Sequence, residues 1–147
     1  MRTKLVATLS AGFLAAAVPV VAHHAFSAEF DAEKPIRLQG TVAMVEWVNP
    51  HTRLHVDVKK PDGTVESWTI EGGSINALNQ RGVTKESIKP GTLVVVNGYQ
   101  AKDGSLRASG RGLTVGKGQE LFMGTPGQPG APKDGKEAAA AAGTAPR

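Results

Sequence analysis

The chain has 147 residues, with 17 basic and 13 acidic side chains and a formal net charge of +4 at neutral pH. It contains no cysteine, which excludes disulfide bonds, thiolate metal sites and catalysis by a thiol. A chain of this length can bury an adequate hydrophobic core without covalent cross-links, so we expect one small domain.

The first 22 residues have the three-part layout of a secretory signal peptide. Arg2 and Lys4 make the start basic, an apolar stretch follows over residues 5–18, and small or β-branched residues lead up to Ala22. The alternative is a membrane anchor, which needs about 20 apolar residues, more than this stretch offers. We therefore predict cleavage after Ala22, a periplasmic or secreted protein, and no stable membrane span after cleavage.

Cleavage also changes the charge of the protein. The loss of Arg2 and Lys4 lowers the net charge from +4 to +2. A mature chain this close to neutral lacks the dense basic stripe that is typical of nucleic-acid binders. We therefore expect no nucleic-acid partner.

The mature chain divides into three parts by composition. Residues 23–35 form an N-terminal leader, residues 36–124 a β-barrel domain, and residues 125–147 a tail rich in proline, glycine and alanine. The tail has almost no large apolar side chains, so it cannot bury enough surface to offset the entropy of ordering. We predict that the tail is disordered.

The domain begins with three predicted strands, because apolar and polar residues alternate. The first strand covers residues 37–48, and a change in the alternation predicts a kink or bulge near Gly40 or Ala43. Asn49-Pro50 ends it. The second and third strands cover residues 53–59 and 65–71, and the turn Pro61-Asp62-Gly63 joins them.

A short helix and two further strands follow. Residues 74–81 have helical spacing, with Ser74 at the N-cap and Gly82 at the C-terminal end. The fourth and fifth strands cover residues 92–100 and 106–115, and residues 120–123 form a short closing strand. The predicted core consists of the inward residues of these strands: Leu54, Val56, Trp68, Ile70, Val94 and Val96.

This order of elements predicts the fold class. Three strands, one short helix and two strands is the order of the OB-fold, a five-stranded Greek-key barrel with its helix between the third and fourth strands. We therefore predict an all-β, OB-fold-like barrel with small helical content. The alternative is a small β-sandwich.

Several segments of the chain resemble a known family. They are His23-His24-Ala25-Phe26, Glu46-Trp47-Val48-Asn49-Pro50-His51, Trp68 with residues 72–82, Lys89-Pro90-Gly91, Gly98-Tyr99 and Lys102-Asp103-Gly104. In combination they resemble a family of bacterial exported proteins described as a domain of unknown function and numbered 6152. The resemblance covers about residues 23–124. It implies export and one β-rich domain, and it implies no activity, substrate or cofactor.

The four histidines lie in two places and suggest a metal site. His23 and His24 stand at the predicted new N-terminus, and His51 and His55 flank the turn after the first strand. Cleavage would give His23 a free α-amine beside its imidazole, a chelate that favours Cu(II) among divalent ions. Alternatively, His24 would bind with its imidazole, the deprotonated amide and the amine. His51, with His55 as a further candidate, would complete a site of three nitrogens.

Each histidine also has an interpretation without a metal. His23 and His24 would then belong to a flexible leader that binds nothing, and His51 would cap backbone carbonyls at a strand end. His55 points outward in the alternation, so it would lie on a solvated strand face. We weigh both interpretations, and copper is the one cofactor that the sequence suggests.

The sequence offers few side-chain arrangements that are typical of catalytic sites. No serine lies in a nucleophile elbow, and Glu29, Asp31 and Glu33 form an exposed acidic approach rather than a shielded acid–base pair. Residues 72–74 would either receive an anion at a helix start or form a tight turn.

Three functional hypotheses remain. The first is an exported, non-catalytic binding or interaction module that binds copper through its N-terminal histidines. The second is an accessory subunit that docks an exported protein partner, and the third is an enzyme that uses a histidine-bound metal.

Overall fold

The computed structural model describes residues 26–118, 120–125 and 128–131. In these ranges the elements are, in chain order, β1 (Phe30–Glu46), β2 (Arg53–Lys59), β3 (Val65–Glu71), α1 (Ile75–Gln80), β4 (Leu93–Ala101), β5 (Arg107–Val115) and β6 (Glu120–Phe122). Residues 26–29, directly before β1, are helical. The predicted signal peptide and both His23 and His24 lie outside the described residues.

The strands form one sheet in the order β3-β2-β1-β4-β5-β6. Neighbours in this order are antiparallel, and β3 also pairs in parallel with β5 through Thr69, Ile70 and Glu71. This last pairing closes β1 to β5 into a ring. A closed five-stranded sheet with a helix between the third and fourth strands is the OB-fold arrangement, which confirms the predicted fold class. Because the described strands form one sheet, the alternative β-sandwich was wrong.

The first strand contains the predicted bulge but starts earlier than predicted. Its register with β2 shifts between Val42 and Met44, next to Ala43. It begins at Phe30 and ends at Glu46, so part of the predicted leader pairs with β4. Phe30 is buried and lies opposite Ala101, while the residues after it are mostly exposed. The alternation is therefore weak where the strand begins.

The turn and helix signals are confirmed. Gly63 has φ +89° and follows Asp62, whose carboxylate accepts a hydrogen bond from the Thr64 amide at 2.9 Å. Ser74 caps α1 by accepting a hydrogen bond from the Ala77 amide at 3.3 Å. Gly82, with φ +80°, follows the helix. A left-handed conformation suits glycine because it has no Cβ.

The main core fills the inside of the ring. All six predicted core residues are buried, each with 6% exposure or less. Further buried side chains come from the other strands and from the helical connection: Val42, Leu78, Val83, Ile88, Ala108, Leu113 and Met123. A second, smaller cluster contains Phe26, Phe30 and Ala101, with Tyr99 packed against it.

The first residues of the predicted tail make specific contacts with the ring. Gln128 is 3% exposed, and its Nε2 donates to the Gly110 carbonyl at 3.1 Å. Its Oε1 accepts from Ser109 Oγ at 3.3 Å and from the Thr125 amide at 3.2 Å. These residues therefore pack against the ring, although they belong to the tail that was predicted to be disordered. Residues 132–147 lie outside the described ranges.

No helix within the described ranges is both long and apolar enough to cross a membrane.

Candidate functional site

A cleft of about 500 Å³ with both charged and apolar lining residues opens on the outer side of the ring, over the contact between β3 and β5. Outward residues of β2, β3 and β5 form part of its lining, together with the loop between β1 and β2 and the residues just before β1. The charged residues that line it are Glu29, His51, Arg53, Glu71 and Arg107. This cleft is the candidate functional site.

The loop between β1 and β2 is held against the start of α1. The Thr52 amide donates to the Gly73 carbonyl at 3.1 Å, and the Gly72 amide donates to the Thr52 carbonyl at 2.8 Å. Asn49 Oδ1 accepts from the Ile75 amide at 3.3 Å, and the Asn49–Pro50 peptide bond is cis. These contacts fix the loop and place His51 at the cleft.

His51 uses only one of its ring nitrogens in these contacts. Its Nδ1 lies 3.1 Å from Glu71 Oε1 and 3.3 Å from the Gly72 carbonyl oxygen. Both neighbours accept hydrogen bonds, so we assign the proton to Nδ1. No described residue makes a hydrogen bond to the Nε2 of His51. A carboxylate that holds Nδ1–H in this way orients an imidazole for metal binding or proton transfer through Nε2.

His55 has a different environment. Its Nε2 lies 2.6 Å from Glu46 Oε1, and its Nδ1 lies 3.3 Å from Thr69 Oγ1. The hydrogen bond with His55, followed by the charge and hydrogen bond of Arg53, lowers the pKa of Glu46 below its usual value. Both nitrogens of His55 have partners, and the side chain does not line the cleft. His51 therefore has a ring nitrogen without a described hydrogen-bond partner, whereas His55 has none.

The two arginines of the cleft each pair with a carboxylate. Arg107 Nη2 lies 2.7 Å from Glu29 Oε2, and its guanidinium is 5.9 Å from the centre of the Phe30 ring. Arg53 Nη1 lies 3.3 Å from Glu46 Oε2. Each basic side chain that lines the cleft therefore lies beside a carboxylate, since His51 lies beside Glu71.

The chain before β1 is anchored beside the cleft. The Phe26 ring packs against Phe30 with centroids 5.9 Å apart, and against Tyr99 at 5.6 Å. The Lys102 amide donates to the Glu29 carbonyl at 2.9 Å, and Lys102 Nζ donates to the Ser27 carbonyl at 2.6 Å. Phe26 also lines the cleft. The anchored segment therefore begins two residues after His24.

Among the predicted metal ligands that the structure describes, only His51 lies in the cleft. No group of three or more histidine or acidic side chains within the described ranges could hold a metal. The Gly72 and Gly73 amides donate to the Thr52 and Met123 carbonyls, so these two amides are not available to an anion. Both hydrogen bonds join distant parts of the chain rather than close a turn, so the tight-turn interpretation is not confirmed either.

Sequence reasoning missed the role of Glu71 as the partner of His51. In the structure Glu71 lies on the outward face of β3, and Arg53 lies opposite it in register. The alternation of β3 is the signal that could have placed Glu71 on this face. The parallel contact that brings Arg107 beside these residues had no signal in the sequence.

Comparison with solved structures finds a partial likeness to the mitochondrial single-stranded DNA-binding protein Rim1 of S. cerevisiae. The TM-score is 0.44 and the sequence identity 15%, over 58% of this chain and 97% of that one. A likeness this low supports no conclusion about function. No curated protein matches the chain. The model of a family of unknown function, DUF6152, matches residues 11–111. Because this match spans well over half of the chain, the protein belongs to the family DUF6152.

Proposed function

We propose that the protein is an exported, non-catalytic binding module that binds one Cu(II) ion through its mature N-terminal histidines and His51. One observation carries the proposal. His51 Nε2 has no hydrogen bond to a described residue, and His51 lines a cleft that is also lined by Phe26, two residues after His24. The export step and cleavage after Ala22 are part of the proposal, because they create the free α-amine.

The reach of the chain supports a shared site. Two residues span about 7 Å when extended. Phe26 lines the same cleft as His51, so the proposed site requires the two or three residues that link Phe26 to His24 and His23 to bridge the cleft to His51. The α-amine and imidazole of His23 would supply two nitrogens, and His51 Nε2 a third. In the alternative set, His24 would bind with its imidazole, the deprotonated amide and the α-amine.

Nitrogen ligands explain the choice of metal. Affinity for divalent first-row ions rises to Cu(II) and falls again at Zn(II), and amine and imidazole donors suit copper. Glu71 would act on the metal only through His51, because its carboxylate holds Nδ1–H and so leaves Nε2 as the donor. His55 is left out of the proposed site, since both of its nitrogens have partners.

The charges of the cleft favour a binding module that does not use nucleic acid. Arg53 and Arg107 are each neutralised by a glutamate. A nucleic-acid surface needs unpaired cations to contact phosphates.

The test is a calorimetric titration of secreted, metal-free protein whose first residue has been established by N-terminal sequencing. We expect one Cu(II) per chain, bound more tightly than Ni(II) or Zn(II). Affinity should fall as the pH drops below about 6.5, because protonated imidazoles do not bind metals. Acetylation of the α-amine should abolish tight binding, and equal affinity of the free and acetylated forms would refute the proposal.

Two variants test the contribution of the cleft. His51→Ala should weaken copper binding by at least about tenfold, and Glu71→Gln, which changes only the support of His51, by about 10 to 100-fold. His55→Ala is the matched control and should leave copper affinity unchanged. If His51→Ala also has no effect, the N-terminal segment binds copper alone and the shared site is wrong. If no copper binds, the docking of an exported protein partner becomes the leading hypothesis.

A further inference from the structure

The cleft holds a second set of groups that the copper proposal does not use. Arg107 and Glu29, which both line the cleft, form an ion pair at 2.7 Å in which both side chains remain partly exposed. Arg107 Nη2 and Glu29 Oε2 make this contact. The other Glu29 oxygen and the remaining guanidinium N–H groups have no hydrogen bond with any described residue.

This pair is unsuited to a charged ligand. A phosphate or carboxylate on the free N–H groups of Arg107 would lie close to the Glu29 carboxylate, and an ammonium group on the free Glu29 oxygen would lie close to Arg107. The repulsion between like charges then offsets part of the gain from the new contact. The balance of charges in the cleft therefore disfavours ions of either sign.

A hydroxyl group does fit beside the pair. It donates one hydrogen bond and accepts others, so it can donate to the free Glu29 oxygen while a neighbouring hydroxyl accepts from Arg107. Neighbouring hydroxyls on a sugar ring supply this combination without breaking the ion pair. Asn49 also lines the cleft and adds a donor, because its Oδ1 accepts from the Ile75 amide and its Nδ2 has no described partner.

The walls also suit a sugar. Val48 and Pro50 lie along the cleft, and Val48 is 42% exposed, so an apolar surface is available to the C–H face of a ring. A volume of about 500 Å³ lies within the range of small-molecule sites. We propose that the cleft binds a neutral polyhydroxyl ligand beside Arg107, Glu29 and Asn49, and that this binding is independent of copper. The ligand would be one or two sugar rings of a glycan.

The experiment is an amide chemical-shift titration of metal-free protein. The probes are the neutral disaccharides cellobiose and N,N′-diacetylchitobiose, with glucose, glucose 6-phosphate and glucosamine as comparators. We expect saturable shifts at the amides of residues 48–49 and 107–109 with a neutral disaccharide, and a dissociation constant of the order of 1 mM. Glucose 6-phosphate and glucosamine should bind no more tightly than glucose.

Two variants at exposed positions locate the site, and each should weaken disaccharide binding by about tenfold or more: Arg107→Ala and Glu29→Gln. Arg37→Ala is the control, since Arg37 does not line the cleft and its Nη1 contacts Asn97 Oδ1 at 3.5 Å. Three results would overturn the proposal: no cleft shifts with either neutral disaccharide, tighter binding of the phosphate, or unchanged binding in both variants. Failure of copper binding would not affect this result, because the sugar titration uses metal-free protein.

Discussion

The two faces of β2 and β3 show opposite properties in the same fourteen residues. On the inner face Leu54, Val56, Trp68 and Ile70 are nearly inaccessible to solvent. The outer face carries charged and hydroxyl side chains that remain at least partly exposed. The inner face depends on one property, hydrophobic burial, whereas the chemistry of the outer face depends on which atoms the sheet register brings together.

The outer face contains a comparison of its own. His51 and His55 each contact a glutamate, Glu71 and Glu46 respectively. In His55 the contact and a second hydrogen bond use both nitrogens, so the residue links strands. In His51 the same kind of contact leaves one nitrogen open to the cleft. An identical residue pair can therefore serve structure at one position and ligand binding at another.

The largest effect is expected on the inner face. Ile70→Ala should lower the free energy of unfolding by about 2 to 5 kcal/mol, because it leaves a cavity in a fully buried position. Urea unfolding measures this change. Val65→Ala, at an exposed position of the same strand, is the control and should change stability by less than about 0.5 kcal/mol. Equal effects of the two variants would contradict the assignment of faces.

A smaller loss is expected where β5 is covered by the chain after β6. Gln128→Ala should cost about 1 to 3 kcal/mol, because the Gly110 carbonyl and the Ser109 hydroxyl lose buried partners. Gln39→Ala, at an exposed position of β1, provides the reference. A thermal midpoint equal to that of the wild type would show that residue 128 does not hold this segment on the ring.

The smallest effect concerns the outer-face pair of Glu46 and His55. Because the pKa of Glu46 is lowered in the folded protein, its ionised form stabilises the fold above the ordinary glutamate pKa of about 4.3. That stabilisation is lost as the pH falls below this value. Glu46→Gln should therefore lose less stability than the wild type between neutral pH and acid, as measured by urea unfolding at several pH values.

A matched variant makes the last test specific. Glu33→Gln removes a carboxylate at an exposed position of β1 and should keep the pH dependence of the wild type. If Glu46→Gln and Glu33→Gln both follow the wild-type curve, the contact between Glu46 and His55 contributes nothing measurable, and the structural role assigned to His55 is wrong.

Alternation was sufficient to predict part of the fold. The bounds of β2 and β3 match the prediction to the residue, because both strands alternate along their whole length and end at turn or glycine signals. The start of β1 was missed because Phe30 is followed by charged, exposed residues, and its partner Ala101 lies far along the chain. Gln128 was missed because a glycine- and proline-rich composition gives no sign of one buried side chain.

The site was less accessible to prediction than the core. His51 could be selected from its position after Asn49-Pro50, but the choice between His51 and His55 needs the positions of Glu71 and Glu46. Both glutamates were visible in the sequence, yet only the register of the sheet and the path of the loop decide which imidazole nitrogen each one contacts. Arg107 reaches the cleft through a parallel contact between β3 and β5, which no local pattern announces.

The closure of the ring has a consequence for amide exchange. The contact between β3 and β5 joins three residue pairs, and the Thr69 amide donates across it to the Leu106 carbonyl at 2.9 Å. Short junctions of this kind open locally at a lower free energy than the rest of a domain, and their amide protons exchange sooner. The cleft lies over this junction, so a molecule that contacts Glu71 on one strand and Arg107 on the other would join them. Exchange at Thr69 should then slow when such a molecule occupies the cleft.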